Sequence, residues 1–240
     1  MAKAIYIAGR GRVGAALVRH FGRQAVPCRV LKSGWEKRPP KRGYLFLAVP
    51  DAAVERICRE VYPTTPKGLT LVHFAGGLSI SRERTHLLHP FASMGPESEF
   101  GRLWCLWHGP ADGGFERFLT AHHFHVIRRE SMPGPGYHAA AVLAGNFPQY
   151  LFLAGLELLR REGFSDDESK RLLTQLVETS LLGAREGGVG TLTGPAARGD
   201  RAVMEREIAF LEKTAPRIAV LYRALSELIA QAVGHGEILD

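Results

Sequence analysis

Residues 5–17, IYIAGRGRVGAAL, constrain this chain more than any other stretch. A short apolar run stops at Gly9-Arg10-Gly11-Arg12-Val13-Gly14, and an Ala/Leu-rich helical pattern follows at once. This is a strand, a glycine turn and a helix, in that order. Gly9 permits the tight turn, Gly11 lets a ligand approach the backbone, and Gly14 lets helix and strand pack closely. The helix that opens here presents free amides and the positive end of its dipole, the local arrangement that receives a dinucleotide pyrophosphate. Arg10, Arg12 and Val13 fall within the same turn.

The chain has 240 residues, 45% of them apolar, which suffices for a core in one large or two modest domains. No uninterrupted apolar run approaches the length of a membrane span, and no charged-then-apolar leader precedes the first strand, so a cytoplasmic protein away from membranes is expected. Cys28, Cys58 and Cys105 stand in apolar contexts and read as buried thiols. Residues 1–42 hold eleven Lys/Arg against one acid, Glu36, or +10, compared with +7 for the whole chain. The basicity therefore gathers around the glycine turn. No aromatic-interleaved basic strand, zinc spacing or recognition helix accompanies it, which disfavours nucleic acid as the partner.

Up to about residue 130 strand and helix signals alternate. Strands are expected at 5–8, 27–32, 44–49, 69–74, 87–89, 103–108 and 124–129, with helices at 13–23, 51–62 and 113–122. Alternation of this kind predicts an α/β, doubly wound and mostly parallel sheet. WEKRPPKRG reads as a loop. Met132-Pro133-Gly134-Pro135-Gly136 breaks both kinds of element, so two domains are expected, 1–132 and 133–240. The second reads as all helical. An unusually apolar helix covers 137–162, and Ser165 with Glu168 forms a capping box opening a helix to about residue 185. Asp200 caps a third helix, and Pro216 starts a fourth.

The end of the second strand selects the dinucleotide. From Ala15 to Trp35 there is no acid to bind ribose hydroxyls, whereas Lys32 and Ser33, with Arg10 or Arg12, suit a 2′-phosphate. NADP is therefore expected over NAD. Val49 and Pro50 end the third strand, where a nicotinamide ring would lie, and Asp51 there reads as a helix cap. His73 and His89 also stand at strand ends, as proton donors or as structural and substrate-orienting groups. His138 and Asn146 are eight residues apart, about two helical turns, and can face one cleft. Arg198, in TLTGPAARGD, reads as near a helix start, either clamping an anion or pairing at the surface with Asp200. His122, His123 and His125 lack an acid or cysteine to complete a metal shell, so no metal is expected.

Taken together, IAGRGRVG, LAVPD, VHFAGG, LLHPFASM, YHAAAVLAGNF and LTGPAARGD resemble a Rossmann-like family of uncharacterised oxidoreductases. That family's C-terminal domain, of unknown function, is similar to that of 6-phosphogluconate dehydrogenase. Pyrroline-5-carboxylate reductase, ketopantoate reductase and the β-hydroxyacid dehydrogenases are wider relatives. The resemblance implies an NAD(P)-binding domain, a helical domain that often forms homodimers, and a substrate cleft between them. One departure matters: ketopantoate reductase and the β-hydroxyacid dehydrogenases carry a lysine one turn before the asparagine that Asn146 matches, and Val142 stands there. Either His138 replaces that lysine, or the chemistry needs no such group, or the protein binds a dinucleotide without turnover. The expectation is an NADP-dependent reductase of a small carbonyl or imine compound bearing a carboxylate. The alternative is a non-catalytic dinucleotide sensor or scaffold. Catalysis is expected of His138 and Asn146, and substrate binding of His73, His89 and Arg198.

Overall fold

The computed structural model describes residues 3–78, 80, 82–235 and 238. It divides into two compact units, Met1–Phe147 and Pro148–Asp240. The division falls beyond the proline-glycine break expected at 132/133. The helical turns after Pro135 stay with the first unit, because Tyr137 hydrogen-bonds His89 and packs on Phe91.

In the first unit the expected short apolar runs are strands. They are β1 (Ile5–Ala8), β2 (Cys28–Leu31), β3 (Arg42–Leu47), β4 (Gly68–His73), β5 (Thr85–Pro90), β6 (Trp104–His108) and β7 (His125–Arg129). They form one sheet in the order β2-β1-β3-β4-β5-β6-β7. Alternation in β3 shows why both faces are buried. Tyr44 and Phe46 point into a cluster with Leu17, Phe21, Trp107 and Phe118. Leu45 and Leu47 point the other way, onto Leu69, Leu71, Val54 and Ile57. The helices are α1 (Arg12–Arg23), α2 (Asp51–Arg56) and α3 (Gly113–Ala121).

All strand pairs are parallel except β5 with β6. Between those two strands the chain forms only a short 3-10 turn, Phe100–Arg102, among the described residues. A parallel return needs a crossover element, so the strand comes back antiparallel. Helix α3 then supplies a crossover, and β7 is parallel to β6. The stretch expected to be loop contains a 3-10 turn at Trp35–Lys37, entered through Gly34 at φ +85°. The cap of α2 is Pro50, and Asp51 is the helix's first residue with no side-chain capping bond. The expected Asp51 cap is thus displaced by one position.

Helices α4 (Pro135–Ala141) and α5 (Phe147–Arg161) are joined by a π-helical turn, Val142–Asn146. The whole run, Pro135–Arg161, is 27 residues long, with a mean hydropathy of 1.3 over its most apolar window and 6% of that window buried. By length and composition alone it could cross a membrane. Polar residues, His138, Asn146 and Gln149, interrupt it.

The second unit continues with α6 (Asp166–Gly187), α7 (Pro195–Arg198), α8 (Arg201–Thr214) and α9 (Pro216–His235). The capping box is present: Ser165 N–H donates to Glu168 Oε2 at 2.9 Å, and Glu168 N–H to Ser165 Oγ at 3.3 Å. The Ser165 hydroxyl also donates to Glu168 Oε2, at 2.6 Å, and this bond, followed by the one from the Ser165 amide, holds the Glu168 carboxyl below its ordinary pKa. Asp200 accepts from Val203 N–H at 3.3 Å, as its capping role requires. Helices α7, α8 and α9 pack on one another. In α6, by contrast, Ser169 is the one buried residue among 22, and Leu176 and Leu181 are about 60% exposed.

Candidate functional site

The glycine turn has the geometry its spacing requires. Gly9 lies at φ +113°, and a Cβ there would overlap the carbonyl oxygen of Ala48 at the end of β3. A Cβ on Gly14 would overlap the Gly9 carbonyl, so close packing of α1 on the turn depends on that residue. Gly11 faces open space, with nothing within 4 Å of a Cβ built on it. It is the N-cap of α1, in extended conformation. No side chain caps the helix, and no acid stands in its first turn of Arg12, Val13 and Gly14. The amides of that turn thus point at a space an anion can enter.

This turn sits where the strand order reverses, between β1 and β3, whose ends are joined by Ala48 N–H donating to Ala8 O at 2.8 Å. Ligands of open parallel sheets bind at such a point. A recess of about 520 Å³ opens beside it, lined by Gly9, Arg10, Lys32, Ser33, Val49, Trp35 and Glu36. Five expected residues are thereby brought together: Gly9, Arg10, Lys32, Ser33 and Val49. Trp35 and Glu36 were missed. They fall in the charged, proline-rich stretch read as loop, where the only sequence signal was a lone tryptophan beside the lone acid.

A second recess, about 420 Å³, gathers His89, His138 and Asn146 with Val142 and Phe91. The π turn is what brings two of them onto one wall. In a regular helix, eight residues at about 100° each leave side chains about 80° apart. Here Phe147 N–H reaches back five residues to the Val142 carbonyl. One residue is absorbed, and the offset falls to about 20°. His89 is held from below. A Cβ on Gly76 would come within 2.8 Å of its ring, and its Nδ1 is 2.7 Å from the Tyr137 hydroxyl. Burial, then the neighbouring His138, lowers the His89 pKa, against a raising influence of Asp51. Burial pushes the Tyr137 phenol up to about 12, so it stays protonated. At neutral pH, then, a neutral imidazole and a neutral phenol share one proton-bearing contact. Tyr137 also went unread in the sequence, although it precedes His138 on the same first turn.

The other expected residues lie elsewhere. Pro50 is exposed at the head of α2, and Arg12 does not line the first recess. His73 is fully buried and lines neither recess, and its two ring nitrogens have no partner among the described residues. Arg198 belongs to the second unit. It closes the four-residue helix α7, three residues before α8 begins at Arg201; Gly199 at φ +70° ends the first turn and Asp200 caps the next helix. No ion pair joins Arg198 to Asp200 among the described residues. His122 Nδ1 meets Gln24 Oε1 at 3.1 Å, and no metal-binding grouping of His, Cys, Asp or Glu occurs among the described residues. A further recess, about 880 Å³, opens at the amino-terminal ends of the strands, beside Ile5, Cys28 and Tyr44. His122 lines it, but none of the residues expected to bind cofactor or substrate does, and position relative to the strand ends outweighs size in choosing the site.

Residues 116–229 match the model of a family described as a domain of unknown function, DUF2520. No curated protein matches the chain. Among solved structures, it is similar to a Bacteroides fragilis protein described as an NADP oxidoreductase. Identity is 18% over 96% of this chain and 98% of that one, with a TM-score of 0.77. It is similar too to a reductive aminase from Aspergillus terreus in complex with NADPH and ethyl levulinate, at 19% identity over 99% and 95% of the two chains, TM-score 0.67. A third is pyrroline carboxylate reductase of Plasmodium falciparum with NADP bound, at 12% identity over 95% and 99%, TM-score 0.58. At these identities the likeness shows the fold. It is a Rossmann-type, mostly parallel sheet followed by a helical C-terminal region, as the motifs led one to expect.

Proposed function

We propose that the protein is an NADP-dependent oxidoreductase that reduces a small carbonyl or imine compound bearing a carboxylate. The observation that carries the reading is the glycine cradle. Gly9 and Gly14 are sites that tolerate no Cβ, Gly11 faces open space, and Lys32, Ser33 and Arg10 wall the adjoining recess. These residues fit a dinucleotide. The helix amides would hold the pyrophosphate, and Lys32 with Ser33 the 2′-phosphate, through charge-assisted bonds. Val49 and Pro50 would border the nicotinamide. When bound, the cofactor supplies hydride. In the second recess Asn146 would orient the substrate by its amide, and His138 would donate the proton that completes reduction. His89, braced by Tyr137 and Gly76, would present a neutral ring to the same substrate. Arg198, on the second unit, is proposed as an anion-binding residue, and buried His73 as support beneath the substrate-facing residues of the first.

Titration of the protein with NADPH and NADH, read by cofactor fluorescence, tests the first part; NADPH is expected to bind more tightly. Screening 2-oxo acids and cyclic imines for NADPH oxidation tests the second. His138→Ala is expected to lower kcat by roughly a hundredfold while leaving NADPH affinity unchanged. Absence of dinucleotide binding would overturn the reading. One observation favours a rival: Val142, apolar, lines the recess at the position where ketopantoate reductase has lysine. Tight NADPH binding with no turnover on any candidate, and no effect of His138→Ala, would make the protein a dinucleotide sensor or scaffold.

The assembly proposed is a homodimer through the C-terminal helices. Among the 22 residues of α6 one is buried, and Leu172, Leu176, Val220 and Leu228 are all exposed in one chain, an apolar surface that a second copy would cover. Sedimentation or light scattering should return twice the 26.4 kDa chain mass. A monomer at micromolar concentration would refute the assembly.

A further inference from the structure

The first recess contains a contradiction that its cations alone do not resolve. A pocket meant for a 2′-phosphate should exclude acids, yet Glu36 is among the residues that line it, about a quarter exposed. Its carboxylate does not face the recess unopposed. Arg56, the last residue of α2, donates from its guanidinium to Glu36 Oε1 at 3.1 Å. Arg56 is not itself part of the recess wall. Arg10 and Lys32, which are, make no ion pair among the described residues and remain available to an anion.

Trp35, immediately before Glu36, fixes the frame in which this happens. It packs against the cluster of Leu45, Leu47, Leu69 and Leu71. The left-handed Gly34 turns the chain so that Trp35 reaches that cluster and Glu36 lands within reach of α2. The acid that elsewhere would bind ribose hydroxyls is present in this chain, a few residues late, and is tied off.

We propose that the Arg56–Glu36 pair is a dinucleotide-selecting device, in which Arg56 holds Glu36 away from the 2′-phosphate position so that Lys32 and Ser33 can receive that phosphate. Arg56 is thus a positioning residue that acts through Glu36. The inference rests on the NADP reading above. Released from Arg56, the carboxylate would repel the phosphate of NADP and accept hydrogen bonds from the free hydroxyls of NAD.

The test is a two-residue cycle on the full chain, with NADPH and NADH titrated into wild type, Arg56→Ala, Glu36→Gln and the double variant. Arg56→Ala should weaken NADPH binding roughly tenfold while NADH binds as well as before or better. Glu36→Gln should keep the preference for NADPH. The double variant should recover NADPH affinity to within about twofold of Glu36→Gln. Arg56→Lys, which retains the pair, should behave as wild type, and the urea midpoint of each variant separates selectivity from misfolding. If Arg56→Ala keeps wild-type selectivity, the device does not exist. If the double variant stays as weak as Arg56→Ala, then Arg56 contacts the phosphate itself and the proposal is wrong. Wild type that binds neither dinucleotide, or prefers NADH, sinks the NADP reading and this inference with it. Wild type that prefers NADPH while the cycle fails sinks only the inference.

Discussion

Gly9→Ala should destabilise the first unit by about 3 kcal/mol or more, the largest effect expected of any single methyl group added to this chain. Two costs add. An L-residue at φ +113° lies outside the left-handed basin and is strained wherever it occurs, by about 1–3 kcal/mol. The new methyl would also overlap the Ala48 carbonyl. That obstacle is backbone, held by the β1–β3 ladder, and a ladder does not swing aside as a side-chain tip does. The loss corresponds to a fall in Tm of roughly 6–12 °C. Urea unfolding followed by tryptophan emission reads it cleanly, because Trp35, Trp104 and Trp107 all belong to the first unit. Gly11→Ala is the control. It meets nothing within 4 Å, and its φ of −66° suits any residue. Stability should change by about 1 kcal/mol or less, while dinucleotide binding is lost because the methyl fills the space the pyrophosphate would take. If Gly9→Ala unfolds at the wild-type urea midpoint, the turn is not built as described.

The contrast between these glycines shows which structural facts a sequence carries. The order strand, GxGxxG, helix is a local pattern, and local patterns survive into the fold. So do the apolar run that becomes β3, the Ser165–Glu168 capping box and the Asp200 cap. The direction of β6 is different in kind. It depends on whether a crossover element fits between residues 91 and 103, and strand-like residues there read the same in either direction. Trp35 and Glu36 were passed over because charge and proline mark the stretch as loop. Nothing in its composition says that Gly34 folds it against the sheet. Tyr137 was overlooked for a similar reason, since its partner His89 is 48 positions away.

His138 and Asn146 show a sounder inference reached through an incomplete reason. Eight residues make about two turns, but a straight α-helix leaves the pair on adjoining faces. The π turn corrects the phase, and Gly145 within it offers no side chain to resist the wider coil. The two residues share a wall because the helix is irregular at that point. Irregularity of this kind is favoured where a site needs a side chain re-aimed, which fits the proposed chemistry better than it fits a purely structural helix.

Acid should unfold the first unit well before it titrates an ordinary protein of this size, and two histidines in its interior account for it. His73 is fully buried, and burial, followed by nearby His108, His86 and His89, lowers its pKa to about 4. His86 is also lowered to about 4, first by burial and then by Lys3, Arg128 and His108, against an opposing effect of Asp112. Its ring stacks on Phe115 and accepts a hydrogen bond from Trp107 Nε1–H at 3.2 Å. With that pKa it is neutral at pH 7, and the 3.8 Å approach of Asp112 is not an ion pair there. In the unfolded chain both rings titrate near 6.5. Both folded values are depressed, so the stabilising difference is complete above about pH 6.5 and is lost as pH falls from there toward 4, where the unfolded state binds protons the folded state refuses. At pH 5 each ring should cost roughly 2 kcal/mol, or about 4 kcal/mol together, a large part of a typical domain's stability. Urea unfolding at pH 7 and pH 5 measures the loss. His73→Leu keeps the apolar volume and removes one titrating ring with no partner among the described residues, so it should roughly halve the difference between the two pH values. An unchanged difference in His73→Leu would mean that His73 is protonated as readily in the folded protein as outside it, and that its burial is not what the structure shows.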